Sequence, residues 1–178
     1  MKFKPFVVFV LTTLVVFGCK QLHKFTQFYM DYNASYTYSA GLPINLPVTL
    51  NTPDVTTNAE QQFAINDTRK DLIESILVKQ LTLSITSPSG QTFAFLKSVE
   101  VYIAASGLPE VRVAHKENIP DNIGAQFDLD LDDVELEEYI KADTFKLRVV
   151  STTDQITTSN IEVNIYSKFF VDAKILGL

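Results

Sequence analysis

Two stretches decide the fold: FYMDYNASYTY at residues 28–38 and IEVNIYSKFFVDAKI at residues 161–175. In the first, Phe28, Met30, Tyr32, Ala34, Tyr36 and Tyr38 occupy one parity, and Tyr29, Asp31, Asn33, Ser35 and Thr37 the other. In the second, Ile161, Val163, Ile165, Phe169, Val171, Ala173 and Ile175 share a parity that only Ser167 interrupts. A repeat of two places alternate side chains on opposite faces of a strand, so each stretch predicts a long strand with one buried face. Their similar lengths predict that the first and last strands pair.

Shorter segments between them repeat the pattern. Val48–Leu50 predicts a short strand, and Leu81, Leu83 and Ile85 alternate with Gln80, Thr82, Ser84 and Thr86. Val99, Val101, Ile103 and Ala105 form another inner face, followed by strands at Val111–Val113, Phe127–Leu131 and Phe145–Val149. Asn51-Thr52-Pro53-Asp54, Ser87-Pro88-Ser89-Gly90 and Ser106-Gly107-Leu108-Pro109 are turn chemistry. Two helical segments are expected. Asp67–Leu77 places Leu72, Ile73, Ile76 and Leu77 on one helix face, and Asp132–Lys141 has Asp132 and Asp133 at its start, where the helix dipole favours negative charge. The expectation is an all-β antiparallel β-sandwich of about seven to nine strands with one or two short helices, with a half-open barrel as the alternative.

The chain has 178 residues and a mass of 20.0 kDa, room for one ordinary domain. At 46% hydrophobic and 20% charged residues it can bury a core. A net charge of -6 and a pI near 4.9 argue against nucleic acid as a partner. One Cys excludes an intramolecular disulfide and a Cys-based zinc cluster, and two His with no Trp leave little for metal or histidine chemistry.

The N-terminus reads MKFKPFVVFVLTTLVVFGC. Lys2 and Lys4 precede an apolar run from Pro5 to Phe17, too short to span a bilayer but of the length of a signal-peptide core. Val16-Phe17-Gly18-Cys19 resembles the lipobox of bacterial lipoproteins, with Gly18 at the small position and Cys19, the sole Cys, at the modified one. Phe17 is bulkier than the residue usual there. The resemblance implies cleavage before Cys19, a diacylglyceryl group on its sulfur and a mature chain held at a membrane. It divides the chain into a signal peptide (1–18), a lipidated Cys and tether (19–27) and one β-sandwich domain (28–178). Lys20 follows the Cys, and no acidic residue appears before Asp31. This resembles lipoproteins sent to the outer membrane and facing the periplasm. An ordinary secretory signal with an inert Cys is the alternative.

Residues 117–143 hold ten acidic residues and one basic one, Lys141. Asp128, Asp130 and Asp132 have the D-x-D-x-D spacing that gathers carboxylates around calcium. An EF-hand loop also needs Gly sixth and a carboxylate twelfth, where this chain has Asp133 and Tyr139. A strand with Asp facing water and Leu facing the core explains the spacing more simply, and a weak calcium site at these three residues is the alternative.

No catalytic set emerges. The G-x-S-x-G elbow and both glycine-rich phosphate loops are absent, and His115 shares the parity of Val111 and Val113 as a half-buried strand-end residue. Phe25, Phe28 and Tyr29, close to the tether, are candidates for a contact surface with lipid or a partner, as are Phe93 and Phe95 unless they fill the core. The sequence therefore predicts a non-catalytic binding or accessory component of the cell envelope, with no cofactor beyond the lipid and with an envelope protein as a candidate partner. A stand-alone lipid or glycan binder is the second expectation, and a small carboxylate-based hydrolase the third.

Overall fold

The computed structural model describes residues 26–174. Cys19, Phe25 and the expected signal peptide (1–18) therefore lie outside the described residues, as does Ile175. Ten strands are described: β1 (Gln27–Tyr38), β2 (Pro47–Asn51), β3 (Val55–Thr56), β4 (Ile73–Ser87), β5 (Leu96–Ala105), β6 (Val111–Lys116), β7 (Gln126–Asp128), β8 (Asp130–Leu131), β9 (Thr144–Thr153) and β10 (Ile161–Ala173). Two short helices, α1 (Ala59–Ile65) and α2 (Glu137–Lys141), complete the set with two 3-10 turns.

All ladders between these strands are antiparallel. One sheet has the order β1-β10-β4-β7, and the other β2-β9-β5-β6-β8, with β3 also on β9. The chain leaves the first sheet for two strands in the second, then returns, three times over. This interleaving is the strand order of a jelly roll, the double-sheet solution for all-β chains. The count exceeds the expected seven to nine because β3 and β8 are two-residue pieces.

The first and last strands pair as expected, in unbroken register from Gln27↔Asp172 to Tyr38↔Ile161. Alternation turns every second residue of β10 inward, from Ile161 to Ala173, and all are buried, Ser167 included. The inner face of β1 is unusually aromatic. Tyr32 stands edge-on to Phe145 of the opposite sheet at 5.3 Å, and Tyr38 to Phe95 at 5.2 Å. Each buried phenol has a partner: Tyr32 donates to the Thr57 carbonyl (2.8 Å), Tyr36 to the Tyr38 oxygen (3.3 Å), and Tyr38 shares a 2.6 Å bond with Ser151. A dry hydroxyl needs such a partner, and the Tyr32 and Tyr38 bonds tie β1 to the opposite side of the sandwich.

The two sides of the sandwich differ. On one, β7 pairs with β4 and β8 with β6, so a single strand crosses between the sheets. Its middle residue, Leu129, is buried and donates its N–H to Leu81 (2.9 Å). On the other side, β1 ends the first sheet and β2 and β3 end the second, and the sheets are not joined by a ladder.

The helix expected at Asp67–Leu77 is corrected. A 3-10 turn covers Lys70–Leu72, and β4 begins at Ile73. Between Ile73 and Leu83 the β4–β10 register skips at Glu74 and Lys79, and Ile73, Ile76, Val78, Leu81 and Leu83 are the buried apolar residues. Two bulges convert a period of two into spacings of three and two, which imitate a helix face. The true helix, α1, lies earlier and seals the core with Ala59 and Phe63. The second helix is also shorter than Asp132–Lys141, because residues 132–136 are extended or irregular and α2 starts at Glu137. Phe93 and Phe95 fill the core.

Burial pushes the Tyr38 phenol up from 10.0 to about 12, with the Ser151 bond opposing the shift, and raises Tyr32 and Tyr36 well above their ordinary values. A phenol with a raised folded value contributes stability in full below pH 10, and the contribution is lost as pH rises through the folded value. For Tyr38 alone that is on the order of 2–3 kcal/mol. We predict cooperative alkaline unfolding beginning above pH 10, with the three phenols ionising only as the fold is lost. Ultraviolet absorbance near the phenolate band, followed with circular dichroism, checks the coincidence.

Candidate functional site

The open side of the sandwich forms the site. A cleft of about 530 Å³ runs between the free edge of β1 and the β2–β3 connection. Asp31, Asn33 and Ser35 line it from β1, Asn164 from β10, and Asp54 and Thr56 from the opposite sheet. Tyr32, Ala34, Pro53 and Val55 complete the wall.

Local sequence explains the cleft. Pro53 cannot donate to a ladder, so pairing with β9 breaks between Asn51 and Val55. Thr52 bridges the break: its N–H donates to Leu147 (2.9 Å), and its hydroxyl accepts from the Leu147 N–H (3.0 Å). Thr57 anchors the far end by donating its hydroxyl to the Ala142 carbonyl (2.6 Å). The segment is thus held at both ends, and Asp54 projects between them with its carboxylate 3.3 Å from Lys146 Nζ. Opposite, Asp31 accepts from the Tyr166 hydroxyl (3.0 Å) and Asn33 from the Asn164 amide (3.0 Å). The lining is a set of amides, hydroxyls and already-partnered carboxylates. It is suited to hydrogen-bonding a hydroxylated or amide ligand, while a lipid tail would meet polar groups.

The sequence did not point to this cleft, since its walls come from residues 31–35, 53–56 and 164. The available signal was Pro53-Asp54 breaking a strand, but nothing local says which edge lies opposite.

The three spaced aspartates are engaged separately. Asp128 accepts from Thr82 and Gln80, Asp130 lies 3.4 Å from Lys116, and Asp132 accepts from Arg112 Nε (2.8 Å). Their spacing follows the outer face of the strand that crosses between the sheets. Among the described residues, no group of three or more His, Cys, Asp or Glu is placed to hold a metal ion. Asp132 does not open a helix as expected; it sits in an ion-pair network with Arg112, which also reaches Glu100 (2.9 Å). Asp132 first, and Glu100 second, hold the Arg112 guanidinium above its ordinary value. His115 Nδ1 lies 3.2 Å from Asp132 Oδ1 without hydrogen-bond alignment. Alongside, the Arg148 guanidinium lies over the Tyr102 ring at 4.2 Å and bonds Glu110 (2.8 Å), whose carboxyl it holds below the usual range. This face of β9, β5 and β6 is thus a lattice of satisfied charges.

A residue of the acidic stretch that sequence reasoning passed over is Glu135. Its carboxylate accepts from the N–H groups of Ile76 (2.6 Å), Leu136 (3.1 Å) and Glu137 (3.1 Å) and from the Ser75 hydroxyl (2.7 Å). It ties β4 to the start of α2, so its role is structural.

Of the expected contact residues, Phe28 is half-buried and packs edge-on to Phe63 at 6.2 Å. Tyr29 is 53% exposed. Among the described residues, no helix is long and apolar enough to cross a membrane.

No protein-family model matches the chain, and no curated protein matches it. Among solved structures, it is similar to one of the infectious bursal disease virus Gx strain at 13% identity and a TM-score of 0.39, covering 85% of this chain and 32% of that one. It is also similar to Desmodium yellow mottle tymovirus, at 13% identity and a TM-score of 0.26, over 85% of each chain. The chain thus spans about a third of the first of these structures.

Two outcomes follow from the geometry. Glu135→Ala leaves the Ile76 and Glu137 N–H groups without their acceptor, while the Leu136 N–H keeps the Ile76 carbonyl (2.9 Å), and we expect a loss of about 2 kcal/mol in urea unfolding. Millimolar calcium is expected to leave the melting temperature unchanged, because Asp128, Asp130 and Asp132 do not converge; a rise of several degrees would restore the calcium site.

Proposed function

We propose that the protein is a lipid-anchored component of a bacterial cell envelope, whose β-sandwich acts by binding, as an accessory or scaffold part. The observation that carries this is Val16-Phe17-Gly18-Cys19, with the sole Cys closing a basic-then-apolar leader and a folded strand beginning at Gln27. A lipobox-type anchor explains the leader, the Cys and the short polar spacer together. Several acyl chains on Cys19 would make attachment effectively permanent, since each buried CH₂ contributes about 0.8 kcal/mol. The position facing the periplasm from the outer membrane is proposed on Lys20, which follows the Cys.

A second reading has its own observation. The polar cleft beside β1 favours a stand-alone binder, and its amides and hydroxyls fit a glycan better than a lipid.

Intact mass of the protein extracted from native membranes tests the anchor. We predict a chain that begins at Cys19 and carries diacylglyceryl mass. A chain beginning at Met1, or cut elsewhere with a free thiol, would remove the assignment.

A further inference from the structure

The two termini of the described domain leave at one end of the sandwich, because Gln27 pairs with Asp172. The outer face of the β1-β10-β4 sheet changes character towards that end. Its far rows are polar, with Ser35 opposite Asn164 and Thr37 opposite Glu162. Next to the termini, Tyr29, Phe170 and Leu77 form one continuous cross-strand row. The Tyr29 and Phe170 rings lie 5.5 Å apart. Lys168 Nζ sits 4.6 Å from the Tyr29 ring centre, and Lys79 Nζ 5.8 Å from that of Phe170. Neither lysine belongs to an ion pair among the described residues. Of the acids nearby, Glu74 is paired with Lys174, while Asp31, opposite Lys168 in the register, and Asp172 accept only from the neutral Tyr166 hydroxyl and Gln27 amide and keep their charge.

Lys79 and Lys168 thus flank the aromatic row beside the tether, matched on this face by Asp31 and Asp172, and the excess of positive charge at this end comes from Lys20 and Lys24 of the spacer. Aromatic rings flanked by lysines suit the bilayer interface, where the ring meets the headgroup region and the ammonium meets lipid phosphate. Seven residue steps separate Cys19 from Thr26. Fully extended they reach about 25 Å, so the anchor keeps this end of the sheet within touching distance of the surface. Lys20 and Lys24 lie within that spacer and add to the same charge.

We propose that the Tyr29–Phe170–Leu77 row, with Lys79 and Lys168, docks the domain on an anionic phospholipid surface. The domain then lies with the outer face of its four-stranded sheet tilted onto the membrane instead of swinging on its tether. This rests on the lipid anchor at Cys19.

The chain has no Trp, so a single reporter is unambiguous. Full-length processed protein carrying Phe170→Trp is placed in vesicles of three parts phosphatidylethanolamine to one part phosphatidylglycerol, with brominated acyl chains as quencher. A second protein carries Thr37→Trp at the other end of β1, on the same face. Circular dichroism checks that both fold. Quenching at position 170 at least threefold that at position 37 is expected. Adding Lys79→Glu and Lys168→Glu is expected to bring the two together while the protein stays on the vesicles. Equal quenching at both positions in protein shown by mass to be lipidated would overturn the docking alone. The same holds if position 170 is shielded only in a doubled molecular mass, which would make the row a contact between copies. Protein shown by mass to lack lipid would overturn the anchor, and the docking with it.

Discussion

The pairing of β1 with β10 is the constraint on which the rest depends. It joins residues some 130 positions apart in sequence, so the first sheet cannot be complete until the chain is. It is also what buries the β1 tyrosines. Met30, Tyr32, Tyr36 and Tyr38 are dry only because β10 holds β1 against the opposite sheet, where Phe145, Phe95 and Ser151 receive them. A phenol gives this seam both apolar area and a directional bond. A one-residue slip would turn the tyrosines outward and leave Ser151 without its partner. The same pairing makes β1 an edge, and with that edge comes the cleft.

Much of this was legible from residues 28–38 and 161–175, because strict alternation over a dozen positions has only one structural solution. Elsewhere the pattern misled for a physical reason. In β4 the bulges at Glu74 and Lys79 re-aim the strand, and the buried set from Ile73 to Leu83 acquires helical spacing. Asp132 looked like the start of a helix because acidic residues favour that position, yet it is drawn to Arg112 across the strand. The contrast between the closed and open sides had no local signature either. It depends on Leu129 carrying one strand from sheet to sheet and on Pro53 interrupting the pairing with β9.

The charge distribution has a sense once the fold is known. The face carried by β9, β5 and β6 is closed electrostatically, with Arg112 and Arg148 each held by carboxylates. The crossing strand carries the D-x-D-x-D acids, each with its own partner. The outer face of the four-stranded sheet sets exposed Tyr29 and half-buried Phe170 beside Lys79 and Lys168, which belong to no ion pair among the described residues, at the end where the described chain enters and leaves. An anchor at Cys19 would bring that end to a membrane and leave the acidic side away from it.

Amide hydrogen exchange, resolved residue by residue along Gln27–Tyr38, tests the central pairing most directly. An edge strand bonded on one side turns alternate N–H groups towards its neighbour and the others towards solvent. The account predicts that alternation, with every second amide protected to the level of global unfolding and those between exchanging freely. Uniformly fast exchange would contradict the pairing with β10, and uniform protection would contradict the open edge.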